Sequence, residues 1–191
     1  MPMDILRDTA SLRSDFMETF LMPWSEYPIV FKDFIADLAN KYHTVVDKAF
    51  YDQQFMWDRV SPEHVSVSFV KALELLRAVD GEVLFMSEEA QYHDCCELLY
   101  EHERVSDFIA KADARELAEL IEYEWFEEHR LAAQDMYRDD IVLPRDLYVF
   151  TPAMNWLLIF THETTDWEVE VDDPLKAAES RLCIACGFDE I

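Results

Sequence analysis

Cys183-Ile184-Ala185-Cys186 is the segment of this 191-residue sequence closest to a recognisable chemistry, since two cysteines with two residues between them form half of a zinc site or a redox pair. Cys95 and Cys96, with His93 beside them, are the residues that would supply the other half. Adjacent cysteines make poor ligands for one ion, because their side chains diverge in either a helix or a strand. A thioredoxin-like role also fails on context, as this C-x-x-C does not open a helix after an early strand. The four thiols are therefore read as reduced, buried and inert. No metal and no cofactor are expected.

The remaining motifs carry less. His162-Glu163-Thr164-Thr165-Asp166 begins like the zinc-protease helix motif, but the second histidine one turn on is missing and the segment ends a predicted strand. No histidine has a glutamate three residues before it, so the Glu-x-x-His pairs of carboxylate-bridged iron bundles are absent. With two glycines in the chain, neither a glycine-rich phosphate loop nor a G-x-S-x-G elbow can be built. These observations leave the enzyme class without a motif to support it, and the chain is read as non-enzymatic.

Charge is the informative feature. There are 41 Asp and Glu against 16 Lys and Arg, a formal charge of −25. Phosphate binding needs cations that displace counterions, so direct nucleic-acid binding is disfavoured, and anionic membranes are disfavoured for the same reason. A cationic protein surface is the favoured partner, attracted at long range with a rate that falls as salt rises. Hydrophobic residues make up 51% of the chain and aromatics 14%, too much for a disordered acidic tail. The acid is mounted on a folded body of ordinary domain size. No apolar run approaches a membrane span, and Met1 to Thr9 lacks the pattern of a secretion signal, so a cytoplasmic protein is expected.

Positioning these groups falls to helices first and strands later. Ile5, Leu12, Phe16 and Phe20 predict a helix from Asp4 to about Leu21, stopped by Pro23. A long or broken helix is predicted from Pro28 to about Tyr51. Another is predicted to start at Ser61-Pro62, carry Val65, Phe69, Ala72, Leu73 and Leu76 on one stripe, and end at Asp80-Gly81. Glu82 to Met86 reads as a strand, followed by a helical segment from Ser87 through Leu99. Asp113 to Glu116 opens a helix to about Tyr137, with Leu117, Leu120, Ile121 and Trp125 inward and Glu119, Glu122, Glu127 and Glu128 toward water. Between Glu88 and Asp140 stand 17 acids against five Lys or Arg.

Beyond Asp140 the pattern changes to strands. Leu147 to Phe150 and Trp156 to Phe160 predict a hairpin around Thr151-Pro152-Ala153-Met154-Asn155, with further strands at Trp167 to Val171 and Leu182 to Ala185. Asp172-Asp173-Pro174 predicts the start of a short helix. Together these give a single α+β domain over residues 1–191, its helix-rich N-terminal portion (about 1–140) packed with a small antiparallel C-terminal sheet (about 141–191).

The stretch Leu147-Tyr148-Val149-Phe150, Met154-Asn155-Trp156-Leu157-Leu158 and His162-Glu163 resembles the strand–turn–strand segment of bacterial immunity-type proteins, the acidic partners that neutralise toxins in polymorphic toxin systems. It spans about a fifth of the chain. The resemblance implies a cytosolic inhibitor that occludes a cognate toxin domain, and it transfers no functional residue. Read from charge and aromaticity, the candidate partner contacts are Glu119, Glu122, Glu127 and Glu128, with Tyr123 or Trp167 as anchors. Two alternatives stand beside an inhibitor of a basic protein. One is a DNA mimic that blocks a nucleic-acid-binding protein. The other is a metal-dependent enzyme built on Cys95, Cys183, Cys186 and a histidine.

Overall fold

The computed structural model describes residues 4–6, 9–22, 59–60, 64–87, 109–132, 143, 146–164 and 174–188. In chain order the elements are β1 (Asp4–Ile5), α1 (Ala10–Phe20), β2 (Val65–Ser68), α2 (Phe69–Ala78), β3 (Glu82–Ser87), β4 (Ala110–Asp113), α3 (Ala114–Ala132), β5 (Leu147–Phe150), β6 (Leu157–Thr164), α4 (Pro174–Ser180) and β7 (Arg181–Cys186). The seven strands form one sheet in the order β1-β4-β3-β5-β6-β7-β2, with every neighbouring pair antiparallel. The α+β class read from the sequence holds.

The sheet is larger than the C-terminal one expected, because β1, β2, β3 and β4 all come from before residue 140. Two of these strands were expected to be helix. Asp4–Ile5 pairs with Lys111 and Ala110 of β4, so the first helix starts at Ala10 rather than Asp4. Val65 heads strand β2, which runs without a loop into α2, and only Phe69, Ala72, Leu73 and Leu76 form the buried stripe. The cap of α2 is Ser68, whose hydroxyl accepts from the Lys71 amide at 3.2 Å; Ser61-Pro62, where the helix was expected to start, lies outside the described residues. The strand at Glu82, the hairpin of 147–150 with 156–160, the helix at Pro174 and the strand at Leu182 lie where the sequence placed them, although β6 continues past Phe160 to Thr164. The segments predicted as helices at 28–51 and 87–99, and as a strand at 167–171, lie almost wholly outside the described residues.

Side-chain alternation along the strands divides the apolar residues between two faces. On one face Val83, Phe85, Leu147, Val149, Leu158, Phe160, Cys183 and Ala185 pack with the inner sides of α2 and α3 and with Ala178 of α4. On the other, Leu84, Met86, Tyr148, Phe150, Leu157, Ile159 and Ile184 pack against Phe16 and Phe20 of α1 and against Leu21 and Val60. The Phe16 ring lies 4.9 Å from that of Phe150 and meets Tyr148 edge-on at 6.0 Å. Helices thus cover both faces, and β5 is buried along its whole length.

The two glycines serve the ends of strands. Gly81, at φ +96°, turns the chain into β3, and its carbonyl accepts from the Ala114 amide at 3.0 Å. Gly187, at φ +80°, lies against the β5–β6 turn, where an added Cβ would collide with the Asn155 carbonyl oxygen and come within 2.9 Å of Trp156 Cα. An added Cβ at Gly81 would meet nothing within 4 Å. Gly81→Ala is therefore expected to cost only the left-handed backbone penalty, about 1 to 2 kcal/mol, while Gly187→Ala adds a backbone collision and costs more than about 3 kcal/mol. Urea denaturation of both variants checks this, and equal midpoints would show that the close approach at Gly187 does not bear on stability.

Candidate interaction surface on helix α3

Helix α3 begins where β4 ends, and the switch is made by one side chain. Asp113 Oδ1 accepts from the amides of Arg115 and Glu116 at 3.0 and 3.2 Å, filling two of the donors that a helix start leaves open. From there Leu117, Ile121 and Trp125 are buried toward the sheet, as predicted, and Ala118 joins them, while Leu120, also expected inward, is half-buried at the margin. The opposite side of the helix presents Glu116, Glu119 and Tyr123, spaced three and four residues apart and so aligned on one ridge.

The structure separates the predicted contact residues by what holds them. Glu122 is half-buried and pairs with Arg77 of α2 at 2.6 Å. Glu127 takes both Nε and Nη2 of Arg130, at 2.9 and 2.5 Å, and this pair raises the Arg130 pKa above its ordinary value. Arg115 pairs with Asp80 at 2.6 Å. Glu119 is exposed, and among the described residues its carboxylate enters no ion pair or hydrogen bond; the same is true of Glu116. Tyr123 is 57% exposed, the most open of the large apolar side chains described. The structure therefore brings Glu119 and Tyr123 together with Glu116, and commits Glu122 and Glu127 to arginines of the same molecule. The side chain of Glu128 and all of Trp167 lie outside the described residues. Glu116 was legible in the sequence as the residue one turn before Glu119, but its place at the helix start drew it into the capping pattern instead.

The inner side of α3 is fixed by an arginine that sequence reasoning did not single out. Arg181, at the head of β7, is buried, with its guanidinium carbon 4.2 Å from the centre of the Trp125 ring and 5.0 Å from that of Phe69. Its Nε donates to the Thr161 carbonyl at 2.5 Å. The two rings lie 5.1 Å apart and the cation sits over both, which ties α2, α3 and the β6–β7 pair at one point. Nothing in the local sequence signals this, because the three side chains are brought together only by the fold.

The cysteine motif resolves by strand geometry. Cys183 and Cys186 are three positions apart on β7, so their side chains leave the sheet on opposite faces. Cys183 lies in the core beneath α2 and α3, and Cys186 packs against the core beneath α1. Two thiols on opposite faces of one sheet cannot converge on one ion, which removes the pairing the metal-enzyme alternative required. His93, Cys95 and Cys96 lie outside the described residues, and among the described ones no group of three or more His, Cys, Asp and Glu is placed to hold a metal. The β6 segment bearing His162 and Glu163 is a strand, unlike the helix a zinc-protease motif needs. No helix among the described residues is long and apolar enough to cross a membrane.

No protein-family model, curated protein or solved structure matches this chain.

Burial pushes the Cys183 thiol from its ordinary 9.0 up to about 12, although Arg181 and a backbone hydrogen bond at Thr161 pull the other way. The folded state holds this proton more tightly than the unfolded chain. Its contribution to stability is therefore complete below pH 9 and is lost as the pH rises toward 12. Cys183→Ala should flatten the fall in urea midpoint measured between about pH 8.5 and 10.5, and parallel slopes for the two proteins would refute the assignment. Arg181→Lys, which keeps the charge but loses the guanidinium over the two rings and its Nε donor, is expected to lower stability by about 1 to 3 kcal/mol in the same measurement at neutral pH.

Proposed function

We propose that this chain is a non-catalytic acidic binding protein of the immunity or inhibitor kind, which neutralises a basic protein partner such as a toxin domain through the outer ridge of α3. The observation that carries the reading is the grouping of Tyr123, widely exposed, with the uncompensated carboxylates of Glu116 and Glu119 on one helix face. An exposed aromatic supplies contact area at low entropic cost, and a tyrosine is among the residues most often found to anchor interfaces. The carboxylates around it orient an approaching cationic surface, and the −25 formal charge draws that surface in from a distance. Mimicry of DNA draws no support from this helix, where Arg115 and Arg130 interrupt the acids and Arg77 neutralises Glu122.

The reading is tested by binding kinetics against a panel of purified basic toxin domains at low and physiological salt. Capture of a basic domain is expected, with an association rate that falls as salt rises. Glu116→Gln with Glu119→Gln should slow association several-fold and weaken the salt dependence, whereas Arg77→Gln with Glu122→Gln should change it little because that pair carries no net charge. Tyr123→Ala should speed dissociation by about tenfold or more. Absence of any salt-sensitive capture, or a Tyr123→Ala protein that binds like the parent, overturns the assignment of this face.

A further inference from the structure

No further inference is drawn: the strongest candidate, the outer edge of strand β2 with the exposed side chains of Val65 and Val70 beside it, is an unpaired sheet edge only among the described residues, and nothing in the structure shows what covers it.

Discussion

The hairpin β5–β6 is buried on both faces, and that double burial constrains everything around it. Leu147, Val149, Leu158 and Phe160 face one core while Tyr148, Phe150, Leu157 and Ile159 face the other. A sheet apolar on both sides must be covered on both sides, each large side chain removed from water contributing about 1.5 to 3 kcal/mol. Helices α2, α3 and α4 meet this demand on one face and α1 on the other. Each helix then gives one side to the sheet and the other to solvent, and it is on those outer sides that the acids accumulate.

The same burial explains where the few cations go. Arg13, Arg59 and Arg181 are all buried. Arg59 uses its Nε and Nη2 to hold the Met22 carbonyl at 3.0 and 2.8 Å, closing the chain after α1, and burial lowers its pKa. Lys111 lies between Asp4 and Glu82 on the neighbouring strands, while Arg77, Arg115 and Arg130 answer single carboxylates. Exposed pairs of this kind add little to stability, about 0 to 1 kcal/mol each. Their effect is to decide which of the described carboxylates are left uncompensated. Among the described residues Glu116 and Glu119 beside Tyr123 enter no such pair, and neither do the exposed Asp15, Glu18, Glu74 and Glu179 on the other helices.

Much of the strand and helix content was legible because periodicity reports burial directly. Two-sided burial leaves unbroken apolar runs, which marked β3, β5 and β6, and one-sided burial leaves the 3.6-residue stripe of Leu117, Ile121 and Trp125. Where the reading failed, a short strand stood shortly before a helix in the sequence. Val65 stands four residues before Phe69, a spacing that suits a helix, yet it belongs to β2, because pairing with Ala185 on β7 outweighs local preference. Ile5 was drawn into the first helix by the same coincidence of spacing, and its pairing with Ala110 lies more than a hundred residues away along the chain.

By itself the sequence determined the class of fold, the hairpin, the start of α3 at Asp113 and the acidity of the surface, all of which follow from local pattern and composition. Tertiary structure alone decided which of the described acids stay uncompensated, that Arg181 would lie over the paired rings of Trp125 and Phe69, and that Cys183 and Cys186 would never meet. The physical reason is that each of these depends on distance through space between residues remote in sequence, or on the pleat of a strand whose identity is settled by its partners. A carboxylate's availability is set by the nearest cation, and the nearest cation to Glu122 is supplied by Arg77, on a different helix.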